Sequence, residues 1–147
     1  MSAVLAPVAG TVVALADVPD PVFAQQIVGS GIAIDPERAE STVVAPADGR
    51  LLKLHPHAFV LLTGEGKGLL VHLGIDTVQL EGAGFELLAA EGDEVTAGTP
   101  IVRWNPAEIE AGGRSPIVPV VVMDSAPDSV RANATGTVRV GDEIFAV

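Results

Sequence analysis

No stretch of this chain can run far before it must turn. Sixteen glycines and eleven prolines cut its 147 residues into short runs rich in Val, Ile and Leu, and sustained apolar spacing of 3.6 residues is nearly absent. Short aliphatic runs between turn-forming residues read as strands. The phrase "VLAPVAGTVVAL" at 4–15 recurs as "VVAPADGRLLKL" at 43–54, with Ala-Pro, Gly and alternating apolar positions in register. Gly-Thr-Val at 136–138 reads as a weaker third echo. In "EGDEVTAGTPIVRW", at 91–104, Gly92-Asp93 and Gly98 bracket one short strand before another, as turn chemistry requires. The pattern predicts an all-β fold, an antiparallel sandwich or flattened barrel with an internal duplication, in one domain spanning 1–147. Short helices are expected only near Pro21–Ile27 and Pro106–Glu110.

Composition narrows the chemistry. With no cysteine, disulfides, thiolate nucleophiles and Cys-ligated zinc are excluded, and histidine must supply any nucleophilic nitrogen. A net charge of -11 argues against nucleic acid and anionic membrane as partners. The longest apolar runs, such as "PIVPVVVM" at 116–123, fall far below the roughly 20 residues that span a bilayer. The N-terminus lacks a signal-peptide pattern. A cytoplasmic, soluble chain is expected.

All three histidines fall in "HPHAFVLLTGEGKGLLVHLGIDT", residues 55–77. If 57–62 and 69–74 are antiparallel strands closed by "TGEGKG", pairing Leu62 with Leu69 sets Phe59 opposite His72. His57 and His72 then share a face as diagonal neighbours about 7–8 Å apart; a one-residue slip would separate them. Asp76 follows just past the second strand. Two imidazoles and a carboxylate can do chemistry, and Leu70, Val71 and Leu73 would desolvate an imidazole toward its neutral, nucleophilic or metal-binding form. Three strand histidines with ordinary hydrogen bonds fit these residues as well.

The chain resembles the glucose-type IIA proteins of the bacterial phosphoenolpyruvate-dependent sugar phosphotransferase system. The resemblance runs in order from "APVAGTVVALADVPDPVFAQQIVGSGIAI" through "VVAPADG", "HAF", "VHLGIDTVQLEGAGFE" and "EGDEVTAGTPI" to "VPVVV" and "GTVRVGD". "GD.V..G" alone is shared with biotinyl-type domains, whereas "VPDPVFA", "VG.GIAI" and "VH.GIDTV" together are specific. The resemblance implies an antiparallel β-sandwich of the duplicated hybrid motif type with a few short helices. It implies a phosphocarrier that accepts phosphate on His72 from the histidine phosphocarrier protein and passes it to a IIB domain for sugar uptake, with regulatory targets as further partners.

By matching position, His72 of "VHLGIDT" is the phosphoryl acceptor, His57 of "HAF" its partner, and Asp20 and Asp76 the acidic residues at the site's mouth. Val22, Phe23, Ile27, Val28 and Val78 match an apolar docking face. No cofactor is required, and the metal site that the resemblance allows is a regulatory zinc at His57 and His72 in a partner complex. The protein is expected to act as a monomer and without membrane insertion; the chain starts almost directly on "VLAPVAG", without the longer N-terminal segment that some members of the family use for membrane association. His55 stands where the family commonly has Thr. From another class, "HPH" with His72 offers three imidazoles to a zinc-dependent, peptidase-like hydrolase.

Overall fold

The computed structural model describes residues 2–147. Thirteen strands follow in chain order as β1 (Ala3–Leu5), β2 (Gly10–Val13), β3 (Gly29–Pro36), β4 (Ser41–Val44), β5 (Gly49–His55), β6 (Ala58–Thr63), β7 (Gly68–His72), β8 (Glu86–Leu87), β9 (Glu94–Val95), β10 (Pro100–Trp104), β11 (Val118–Met123), β12 (Thr137–Val138) and β13 (Glu143–Ala146). The helices are one or two turns long, α1 (Pro21–Ala24) and α2 (Pro106–Ala111), with 3-10 turns at Leu15–Asp17 and Thr77–Leu80. Both helices begin on the expected prolines, the first ending at Ala24 short of the expected Ile27, and each follows a cap: Asp20 and Asn105 accept hydrogen bonds from the backbone N–H groups of Val22 and Ala107, satisfying amides left free at a helix start.

An eight-stranded sheet runs in the order β12-β2-β3-β11-β7-β6-β5-β9, faced by a three-stranded sheet β4-β10-β8 and a ribbon β1-β13. Among the described residues these strands pair antiparallel. The expected sandwich is therefore present, and its duplication is visible in the backbone. Leu5 N–H donates to Pro46 O while Val44 N–H donates to Pro7 O; Gly141 N–H donates to Ala6 O while Gly98 N–H donates to Ala45 O. The two Ala-Pro phrases thus cross each other about a pseudo-twofold axis. Gly98 and Gly141 both take the left-handed φ, near +92° and +91°, that this turn requires and glycine adopts without strain. Gly-Thr-Val at 136–138 is not a third copy. It forms β12, which pairs Val138 with Gly10 as β9 pairs Val95 with Gly49, so it is the partner strand of the first copy.

Between the sheets lie Val4, Ile34, Val43, Leu51, Phe59, Leu61, Leu69, Val71, Ile101, Trp104, Val120 and Phe145, all buried, each worth roughly 1.5–3 kcal/mol by removal from water. A second, smaller cluster covers the opposite face of the central strands: Leu15, Val18, Phe23, Ala33, Ile75, Ile117 and Val121. Strand β11 sends Val120 to one cluster and Val121 to the other. That is why its sequence is a continuous apolar run rather than an alternating one.

The β6–β7 register differs by one residue from the sequence expectation. Leu62 pairs with Gly68 and Ala58, not Phe59, with His72. Thr63 N–H donates to Lys67 O, leaving a three-residue loop whose third residue, Gly66, has φ +82°. This is a common hairpin solution, and it replaces the six-residue loop read from "TGEGKG".

Candidate functional site

His72 is the last residue of β7 and, in the observed register, alternates outward with Leu70 while Leu69 and Val71 enter the main core. Its Nδ1 lies 2.6 Å from the carbonyl oxygen of Gly74. A carbonyl only accepts, so Nδ1 carries the proton and donates, which leaves Nε2 with its lone pair. Gly74 has φ +83°, and a Cβ there would stand 2.7 Å from Thr77 Cγ2 and 3.0 Å from Ser115 O. Around it, Gly74 N–H donates to Ile117 O, Ile75 N–H to Ser115 O, and the buried Thr77 hydroxyl to Leu73 O. The carbonyl that orients His72 is thus built into a fixed turn.

His57 reaches His72 by a different route from the one expected. In this register, strand parity would place His57 on the core side with Phe59. His57 is not in a strand, however: His55 pairs with Ala58, so Pro56 and His57 form the two-residue connection between β5 and β6. Freed from the pleat, the His57 ring meets His72 edge to face, centroids 5.3 Å apart at 73°. Its carbonyl accepts from Leu73 N–H at 2.7 Å, fastening the turn to the strand that bears His72. The His55 ring also stacks on His57, centroids 5.9 Å apart at 27°.

Asp20 and Asp76 flank this pair. Asp20 is held by its capping bond from Val22 N–H at 2.8 Å, and Asp76 sits exposed at φ +60° ahead of the turn Thr77–Leu80. Burial pushes the His72 pKa below the ordinary histidine value, outweighing the upward pull of the Gly74 carbonyl and the two carboxylates. His57 is also pushed down, first by burial, then by the neighbouring imidazoles of His72 and His55. Both rings are therefore neutral at pH 7.

The apolar residues divide. Val22, Ile27 and Val78 are 42%, 67% and 58% exposed, as a docking rim requires. Phe23 is buried, and its ring packs on His72 with centroids 5.2 Å apart; Val28 is half-buried against the same cluster. Their apolar character serves the floor of the site, because α1 turns Phe23 inward under the imidazole. Sequence reasoning missed Gly74 and Thr77 as parts of the site, although a glycine two residues after a candidate histidine was a usable signal.

The zinc-hydrolase alternative has no ligand set. Among the described residues no group of three or more His, Cys, Asp or Glu side chains could hold a metal ion.

Comparison with known proteins bears on what such a pair does. Residues 2–127 match the family model described as phosphoenolpyruvate-dependent sugar phosphotransferase system, EIIA 1. The chain is 45% identical over 125 residues to the glucose-specific EIIA component of Staphylococcus aureus (strain COL), covering 84% of this chain and 74% of that protein. It is 46% identical over 127 residues to the N-acetylglucosamine-specific EIICBA component of Klebsiella pneumoniae, covering 85% of this chain and 19% of that protein. The solved glucose permease IIA from Mycoplasma capricolum superposes with a TM-score of 0.88 at 33% identity, covering 97% of this chain and 93% of that one.

Proposed function

The chain belongs to the EIIA 1 family of the phosphoenolpyruvate-dependent sugar phosphotransferase system and is a phosphocarrier IIA component, and on that premise we propose that Nε2 of His72 is the atom that carries the phosphoryl group. The observation that supports this most is the 2.6 Å hydrogen bond from Nδ1 to Gly74 O, which leaves Nε2 as the nitrogen with a free lone pair.

The donor is the phosphohistidine of the histidine phosphocarrier protein. Nε2 attacks phosphorus in line, the donor's N–P bond breaks as the Nε2–P bond forms, and the donor imidazole leaves neutral. The His72 ring keeps its Nδ1 proton and so acquires positive charge. The Gly74 carbonyl and the carboxylates of Asp20 and Asp76, which already pull the His72 pKa upward, stabilise that charge. Two acids beside an incoming phosphate are in this way useful to the ring that accepts it. His57, neutral and edge-on to His72, donates a hydrogen bond to a phosphoryl oxygen in the transition state. Exchange between two phosphoramidates is nearly balanced, so positioning supplies most of the catalysis.

Onward transfer to a IIB domain reverses the geometry at the same nitrogen, so both protein partners use the exposed rim of Val22, Ile27 and Val78 in turn. The chain acts in the cytoplasm as a single IIA domain; no helix among the described residues is long and apolar enough to cross a membrane. Incubation with phosphoenolpyruvate, enzyme I and the carrier protein tests the assignment. One acid-labile phosphate on Nε2 of His72, read by NMR and absent in His72→Gln, is expected. Acid-stable label, or label that persists in His72→Gln, would overturn it.

A further inference from the structure

The His72 ring is oriented by a hydrogen bond, whereas among the described residues the His57 ring has none. Its depressed pKa arises from burial and neighbouring imidazoles alone, and no side-chain hydrogen bond joins its ring to a described residue. It also occupies a two-residue connection, not a strand, so no pleat fixes the direction of its side chain. An imidazole that must aim an N–H at a phosphoryl oxygen needs some other restraint.

Two ring contacts supply it. His72 meets His57 edge to face, and His55 stacks on it at 27° between planes with centroids 5.9 Å apart. That geometry lies within the offset-stacked range. His55 is the last residue of β5 and its backbone is fixed by pairing with Ala58, so its ring is presented from an ordered strand end. Among the described residues its ring pairs with that of His57 and not with that of His72, so His57 is the ring through which stacking can act on the acceptor. We infer that His55 is a positioning residue for phosphoryl transfer: its ring, stacked on His57, holds that imidazole edge-on to His72. The inference rests on the reading of His72 as acceptor and His57 as its partner. It accounts for an exposed histidine that the transfer reaction does not otherwise use.

A planar ring, not an imidazole nitrogen, is what this role requires. The full-length variants His55→Ala and His55→Phe separate the two. Single-turnover transfer from the phosphorylated carrier protein is measured beside its affinity, together with the ring proton resonances of His57. In His55→Ala the transfer rate falls about 2- to 10-fold, the factor that corresponds to losing one aromatic contact. Carrier affinity holds, and the His57 resonances shift and broaden. In His55→Phe the rate returns to within about twofold of the parent, as a stacking role requires. A parental rate with unmoved His57 resonances in His55→Ala overturns the inference, as does a His55→Phe variant as slow as His55→Ala. Label that survives His72→Gln overturns the acceptor assignment and this inference together; a strict need for His72 with indifference to His55 overturns this inference alone.

Discussion

Nδ1 of His72 donates its proton to the carbonyl of Gly74 across 2.6 Å, and Gly74 presents that carbonyl from a left-handed backbone conformation at φ +83°. A Cβ at this position would be strained by φ and would stand 2.7 Å from Thr77 Cγ2. Gly74→Ala should cost about 2 kcal/mol or more of folding stability in a denaturant melt. It should also slow phosphoryl acceptance, because the carbonyl that selects the His72 tautomer moves. An alanine variant as stable and as fast as the parent would show that the turn is not what orients the ring.

On the proposed reading, in which His72 carries the phosphate, the role of His57 is to assist transfer without carrying it. His57→Gln should still be labelled on His72 but pass phosphate to a IIB domain at least tenfold more slowly, equivalent to roughly 1.4–4 kcal/mol of lost transition-state stabilisation. Onward transfer at the parental rate would leave His57 as a packing residue only.

The pH dependence of stability follows from the two depressed imidazoles. His57 and His72 titrate below the ordinary histidine value in the folded chain and return to about 6.5 when unfolded. Between the depressed values and 6.5 the unfolded chain binds more protons, so stability falls as pH drops through that interval and is level, for these groups, above it. Melts from pH 7.5 down to 5 should show this slope, and His72→Gln should flatten it. A slope of opposite sign, or one unchanged in His72→Gln, would mean that His72 is not desolvated.

Much of the architecture was legible because it rests on local signals. Proline behind Asp20 and Asn105 starts the helices, Gly98 and Gly141 turn the duplicated halves, and the recurring Ala-Pro phrases occupy equivalent places. Register was not legible, since "TGEGKG" can close a hairpin in several ways and only Gly66 at φ +82° settles which. The expected nearness of His57 and His72 was right for the wrong reason. It was read from strand parity, which the one-residue shift reverses, and is restored by the turn at Pro56-His57 that lifts His57 out of the pleat. The division of the apolar residues was likewise hidden, because a four-residue helix buries one side chain and exposes its neighbour without any periodic signature.

That division yields the last prediction. Val78 and Ile27 are mostly exposed, whereas Phe23 is 7% exposed and packs on His72. Ile27→Ser and Val78→Asp should therefore change folding stability by no more than about 0.5–1 kcal/mol, the range for surface positions. Each should weaken binding to the carrier protein and to a IIB domain by roughly 2 kcal/mol or more if it sits at the centre of the shared docking face. Phe23→Ser should do the opposite, losing about 3 kcal/mol or more of stability through a cavity and a hydroxyl placed in an apolar cluster. Removing that ring also readmits water to His72, so the His72 pKa should rise toward the ordinary histidine value. Melts, titrations with each partner and imidazole NMR on the three variants separate floor from rim. The division is wrong if Phe23→Ser keeps its stability while losing partner affinity, or if Val78→Asp and Ile27→Ser simply melt earlier with both affinities intact.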